Sequence, residues 1–308
     1  MTALLKIKEI TALFRQSGIE EPAREAEMLV TGLLNIDRAV LYAGDADMPA
    51  DRAKHIDALA VRRTRREPLQ YLLGHVLFCG LKINVGSGVL IPRPETELLV
   101  EETIKIIQAE KKDESRKIGE QWKSRITDSP IRRFAGSLRI LDLCTGSGCI
   151  ALAMARHFPG AAVYGVDASW PAVEYATQNA LANNVNNACF RHGDLFAPVG
   201  GMSFDCLVSN PPYVRRDEIK TLQKEIRDYE PTEALDGGID GLDFYRRIFK
   251  DASAYLSENG IIMLEIGLGQ ADAIRQLAQH AGFTQPRFIK DFAGIERIAA
   301  IDGSTSSP

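Results

Sequence analysis

The sequence has no basic excess: its 308 residues carry 37 Lys and Arg against 41 Asp and Glu, a formal net charge of −4. A chain that works on a phosphate backbone commonly shows the opposite balance, so the total argues against nucleic acid as the default partner without excluding a local basic surface. No apolar run approaches the roughly 20 residues of a membrane-spanning helix. The opening MTALLKIKEITALFRQ holds only a two-leucine run before Lys6, too short for a signal-peptide core. Acidic residues from Glu9 onward argue against a transit peptide. Cys79, Cys144, Cys149, Cys189 and Cys206 are odd in number and contain no Cys-x-x-Cys pair. They are expected to be reduced, mostly buried thiols in a cytoplasmic protein. The histidines are scattered, so no metal site is expected.

Apolar residues at 45% and charged residues at 25% are ordinary for a globular protein, and the length suits two domains. Residues 1–74 read as a helical bundle. Leu4, Leu5, Ile7, Ile10, Leu13 and Phe14 recur at helical spacing, a second helix follows Pro22, and a third runs from Pro49 to Arg66. Residues 75–93 read as a β-hairpin linker with its turn at Cys79-Gly80. Residues 94–303 form the remaining domain, beginning with a helix to about Ala109. Within it, 110–137 is charged and poor in aliphatics, and is expected to be an exposed or partly disordered insertion. From Leu138, strands and helices alternate. Strands are predicted at 139–143, 162–167, 188–192, 204–209, 260–266, 287–291 and 297–301, which implies an α/β, mostly parallel sheet covered on both faces. The tail 303–308 is expected to fray.

Two clusters carry chemistry. In Asp142-Leu143-Cys144-Thr145-Gly146-Ser147-Gly148, a buried strand enters a glycine turn that precedes a helix, and Asp167 ends the next strand. Glycines at 146 and 148 let backbone approach a ligand, and a carboxylate at 167 can accept bonds from two ribose hydroxyls. The full dinucleotide glycine pattern is missing, because Cys149 and Ile150 follow Gly148. A nucleoside with an uncharged or cationic tail fits better than a pyrophosphate. The second cluster, Asn210-Pro211-Pro212-Tyr213, directly follows a strand and so sits at the carboxyl edge of the sheet. The Asn210 side-chain oxygen and the Pro211 carbonyl are two acceptors beside the flat face of Tyr213, a setting for a planar NH2 group. Asn-Pro-Pro alone also serves as an ordinary strand terminator; its place after a nucleoside-type turn favours the site.

With these motifs the chain resembles the class I methyltransferases that modify exocyclic or amide nitrogens. It is more closely similar to the protein-(glutamine-N5) methyltransferases that act on release factors. The resemblance spans nearly the whole chain, through Glu67–Gly74 (EPLQYLLG), Leu90–Glu97 (LIPRPETE), Asp142–Gly148, Asn210–Tyr213 and Glu230–Tyr245 (EPTEALDGGIDGLDFY). It implies a Rossmann-like catalytic sheet behind a small helical substrate-docking domain, and S-adenosylmethionine as cofactor. Cofactor contacts are implied at Cys144, Thr145, Gly146, Ser147, Gly148, Asp167, Asp194, Leu195 and Asn210. Substrate contacts are implied at Asn210, Pro211, Pro212 and Tyr213, with Asn210 and Pro211 catalytic. The implied reaction is methylation of a glutamine side-chain amide in the Gly-Gly-Gln loop of peptide-chain release factors, with no membrane and no direct nucleic-acid substrate. Cys144 stands where many members have glycine, and the 110–137 insertion exceeds the usual linker.

The alternative is an adenine-N6 methyltransferase, since the same tetrapeptide suits an exocyclic amine. That reading needs a groove lined by Lys and Arg. Arg62, Arg63, Arg65 and Arg66 are the only dense basic run outside the insertion, and are expected to be a solvated helix face.

Overall fold

A computed structural model describes residues 2–43, 48–121 and 138–303. In chain order the first elements are helices α1 (Ala3–Gln16), α2 (Pro22–Leu34), α3 (Arg38–Ala43), α4 (Ala50–Thr64) and α5 (Leu69–Leu73). Strands β1 (His75–Phe78) and β2 (Leu81–Asn84) follow, then α6 (Pro94–Gln121). The remainder is β3 (Arg139–Leu143), α7 (Cys149–His157), β4 (Ala162–Asp167), α8 (Trp170–Ala182), β5 (Ala188–His192) and β6 (Phe204–Ser209), then α9 (Lys224–Arg227), α10 (Asp243–Ala252), β7 (Leu256–Glu265), α11 (Ala271–His280), β8 (Arg287–Lys290) and β9 (Glu296–Asp302). Helix α6 passes the expected end at Ala109 and continues to Gln121, so the first part of the predicted insertion is helix. The expectations for 122–137 and 304–308 lie outside the described residues.

The chain divides into two compact units. The first holds Met1–Val76, Val85–Ser87 and Thr221–Glu230, and the second holds Leu77–Asn84, Gly88–Lys220 and Pro231–Pro308. The first unit thus draws a segment from beyond β6 that the sequence assigns to the 94–303 domain. Its helices start and stop on local chemistry. The Thr2 hydroxyl caps α1 by accepting the Leu5 N–H. Pro22 opens α2, and Asn35 ends it in the left-handed region at φ 54°. Ile10, Phe14, Leu29, Leu41 and Ile56 form a continuous apolar core. The arginine run departs from expectation, because Arg63 is only 4% exposed. Its guanidinium donates to both oxygens of Glu25 at 2.6 and 3.0 Å and lies 3.0 Å from Glu225. Arg66 shares Glu225 at 3.1 Å, and Arg62 pairs with Glu67.

β1 and β2 form the predicted hairpin, with Cys79 and Gly80 both at positive φ, 47° and 72°, as a two-residue turn between twisted strands requires. The second unit carries a seven-stranded sheet of order β5-β4-β3-β6-β7-β9-β8. β3 to β7 pair in parallel, while β9 runs antiparallel between β7 and β8. The wholly buried runs at the ends of β3, β6 and β7 reflect strands covered on both faces. Of the cysteines, Cys149 and Cys206 are buried, Cys79 and Cys144 partly so, and Cys189 is exposed.

Candidate active site

Strand order reverses between β3 and β6: β4 and β5 lie on one side of this pair, β7 on the other. In open parallel sheets, ligands bind at the carboxyl ends of strands at such a switch point. Leu143 and Ser209 are register partners there, and the Ser209 hydroxyl donates to the Leu143 carbonyl at 2.6 Å. The glycine turn and the Asn-Pro-Pro-Tyr segment therefore leave adjoining strand ends side by side.

The turn is held by two acids. Asp142, fully buried, accepts the Thr145 hydroxyl at 2.5 Å and the Ala151 N–H at 3.1 Å through one oxygen. Its other oxygen has no partner among the described residues. Burial, only partly offset by these two bonds, pushes its carboxyl up to about 7. Asp167 receives the Gly146 N–H on one oxygen and the Ser169 N–H on the other, both at 2.8 Å. Burial again raises its pKa. Each Asp167 oxygen keeps acceptor capacity beyond its single backbone donor. Cys144 and Gly146 take φ of 57° and 55°. A side chain in that region costs of order 1–2 kcal/mol, which Cys144 bears. At Gly148, φ is 81° and a Cβ would stand 2.8 Å from that of Ala176, so this glycine is required by helix packing.

Asn210 is held from behind. Its amide nitrogen donates to the Thr96 hydroxyl at 3.0 Å, and that hydroxyl donates to Glu265 Oε2 at 2.7 Å. The Tyr213 hydroxyl reaches Glu265 Oε1 at 3.3 Å, and the Tyr213 carbonyl accepts from Gln270 at 3.1 Å. Glu265 ends β7 and is 2% exposed. Burial raises its carboxyl to about 7 despite the two hydroxyl donors. The Tyr213 phenol is also raised, first by burial and then by the neighbouring Glu265.

A cavity of about 550 Å³ opens at this edge. Of the residues singled out from sequence, Cys144 through Ser147, Asp167, Asp194, Leu195, Asn210 and Pro212 line it; Gly148, Pro211 and Tyr213 do not. Its charged lining is three carboxylates, Asp167, Asp194 and Glu233, against the single guanidinium of Arg93. Thr96, Trp170 and Phe244 also line it without having been expected as contacts. Thr96 lies inside the LIPRPETE segment, which had been read only as a family mark. Glu265 had a visible signal too: one acid closing the otherwise apolar run IIMLEIG. Among the described residues no His, Cys, Asp and Glu cluster could hold a metal ion, and no helix is long and apolar enough to cross a membrane.

The sheet order, the glycine turn after β3 and the acid ending β4 define the class I methyltransferase fold. Family models agree: one described as methyltransferase small domain matches residues 131–228, and one described as PrmC N-terminal domain matches 6–74. A release factor glutamine methyltransferase of Thermodesulfovibrio yellowstonii is 44% identical over 99% of this chain and 100% of its own length. Enzymes of the same name from Geobacter sulfurreducens and Gloeobacter violaceus are each 38% identical, over 92% and 90% of this chain and 90% and 89% of theirs. The chain belongs to the release factor glutamine methyltransferase family.

Proposed function

We propose that the protein transfers a methyl group from S-adenosylmethionine to the side-chain amide nitrogen of a glutamine in a peptide-chain release factor, within its Gly-Gly-Gln loop. The observation that carries the reading is that Asp167 and Asn210, from separate strand ends, line one cavity. Family membership supports the substrate, and the substrate implies work in the cytoplasm.

The lining suits the cofactor. Asp167 offers acceptors to a ribose diol, and Asp167 and Glu233, apart from Asp194 that pairs with Arg247, outnumber the guanidinium of Arg93 and favour a cationic sulfonium. A Cβ built at Gly146 meets no protein atom within 4 Å, so that side of the turn is open to a ligand. Bound there, S-adenosylmethionine supplies an electrophilic methyl group. Residues 144–147, Asp167, Asp194 and Leu195 would hold it.

An amide nitrogen is a poor nucleophile, because its lone pair is delocalised into the carbonyl. Asn210 Oδ1 and the Pro211 carbonyl would each accept one N–H of the target amide, fixing its plane and raising electron density on nitrogen. Tyr213, outside the cavity lining but tied by its hydroxyl and its carbonyl, would stand as a fixed face beside the target amide. Positioning of this kind can contribute roughly 7–11 kcal/mol in favourable cases. The helical domain of residues 1–74 would dock the protein substrate. Nucleic acid is not favoured, because carboxylates of the same unit engage Arg62, Arg63 and Arg66.

Labelled cofactor, offered separately to release factor, to release factor with the loop glutamine changed to glutamate, and to DNA, tests the reading. One added methyl on the loop glutamine by peptide mass spectrometry, and none on the glutamate form, is expected. Methyl-adenine in DNA with unmodified release factor would overturn it.

A further inference from the structure

We propose that Glu265 and Thr96 are positioning residues that set the polarity of the Asn210 carboxamide, holding its oxygen toward the target NH2 group. The inference rests on Asn210 being the acceptor for that group, and adds what makes it one.

A carboxamide presents an acceptor on one arm and a donor on the other, and the two are nearly the same size. In an unconstrained side chain the two orientations interchange by rotation about one bond. A target NH2 group needs the acceptor arm, so the flipped orientation would set two donors against each other. Asn210 has one arm engaged: Nδ2 donates to Thr96 Oγ1 at 3.0 Å. A hydroxyl could serve either arm, since it both donates and accepts. What decides its direction is the next member. Thr96 lies 2.7 Å from Glu265 Oε2, and an ionised carboxylate only accepts, so the hydroxyl proton is committed to it. The Thr96 oxygen then has only lone pairs to offer, and only the Nδ2 arm can meet them. Tyr213 works in the same sense. Its hydroxyl donates to Glu265 Oε1, which fixes the aromatic wall from the same carboxylate.

The arrangement spans three elements. Thr96 stands in the first turn of α6, Asn210 follows β6, and Glu265 ends β7. A purely structural acid at this point would be poorly chosen, since it is 2% exposed and its hydrogen-bond donors are uncharged. The surrounding charges are Glu95 in the first turn of α6 and Arg297 on β9. Glu95 disfavours ionisation and Arg297 favours it, while the Tyr245 hydroxyl from α10 is spent on the Glu265 backbone carbonyl. When Glu265 takes up a proton on Oε2, it becomes a donor to Thr96. The hydroxyl can then turn toward Asn210, where it fits Oδ1 rather than Nδ2. Acid should therefore invert the carboxamide and stop the reaction without unfolding the protein.

The test uses the full chain with release factor and S-adenosylmethionine, measuring kcat, KM for both substrates and cofactor affinity from pH 6 to 9. Asn210→Ala is the reference and should abolish turnover. Thr96→Val keeps shape but removes the relay, and should lower kcat by about 10²-fold, the scale of a misplaced reacting group, with cofactor affinity little changed. Thr96→Ser restores the hydroxyl and should recover most of that loss. Glu265→Gln can present either arm to Thr96. It should lower kcat and flatten the acidic limb expected of the wild type near neutrality. Full turnover by Asn210→Ala would overturn the acceptor assignment and this proposal with it. An inactive Asn210→Ala beside Thr96→Val at wild-type kcat, or an unaltered acidic limb in Glu265→Gln, would overturn the proposal alone.

Discussion

In the helical unit the buried cations Lys6 and Arg63, each 4% exposed, meet carboxylates: Lys6 meets Glu9 and Asp57 within 2.9 Å, and Arg63 meets Glu25 and Glu225. At the sheet edge of the other unit, the acids Asp142, Asp167 and Glu265 are held by hydroxyls and backbone N–H groups alone. The consequences differ in sign. Burial acts to lower the Arg63 pKa, but Glu25 and Glu225 outweigh it and raise it, so the charged form is favoured. Burial raises Asp142 and Glu265, and the neutral donors do not offset it, so the charged form is disfavoured. Paired charge fixes a structure. Unpaired buried charge is tolerated where its acceptor capacity is used, and perturbed acids accordingly gather at functional sites.

The largest expected effect comes from unpairing the first region. Arg63→Met keeps the volume but leaves Glu25 without its cation, while Glu225 retains only Arg66. Breaking a buried pair from one side costs about 3–5 kcal/mol, so chemical denaturation of the full chain should show the helical unit weakened by that order. A loss under about 1 kcal/mol is what exposed pairs give, and would mean that this cluster behaves as surface charge.

The second region should respond in binding. Asp167→Ala removes the acceptors proposed for the ribose hydroxyls and frees the Gly146 and Ser169 N–H groups. Bonds to charged groups are worth about 1.5–3 kcal/mol, so calorimetric titration should show S-adenosylmethionine affinity falling by roughly that amount. Unchanged affinity would remove Asp167 from the cofactor site.

The same contrast explains what the sequence made legible. Strand ends fell where expected to within a few residues, because β3, β4 and β6 are apolar runs bounded by turn residues. The carboxyl-edge placement of the Asn210–Tyr213 segment followed from its position directly after a strand; the strand order that makes this edge a switch point did not. The charge pairing was not legible. A run of four arginines reads as a solvated face until Glu25 and Glu225, distant in sequence, are folded against it. Helix α6 outran its expected end because charged residues suit a helix as well as a loop. Thr96 and Glu265 were missed for a related reason. Thr96 sits in a segment read for its resemblance and Glu265 in an apolar run, and the role of each arises only when α6, β6 and β7 bring them to Asn210.

The smallest expected effect tests whether the acid at the sheet edge is kept at a cost to stability. The Glu265 carboxyl titrates at about 7 in the fold against 4.5 as its ordinary value. Below pH 4.5 it is protonated folded and unfolded, and contributes no difference. As pH rises from 4.5 to 7, the unfolded chain ionises while the folded one retains the proton, so stability falls. Above 7 the full penalty applies. The shift sets a ceiling of about 3 kcal/mol. Glu265→Gln removes the charge, yet its amide must turn one of the two hydroxyls, that of Thr96 or of Tyr213, from donor to acceptor, which loses part of the gain. The variant should therefore be more stable than wild type by about 1–2 kcal/mol at pH 8, with the difference vanishing near pH 4. Denaturation curves at the two pH values measure it. A variant that gains stability while losing turnover would show the buried acid retained for orientation rather than for the fold, the reverse of Arg63. A variant less stable than wild type at pH 8 would place Glu265 among the structural charges and erase the distinction between the two regions.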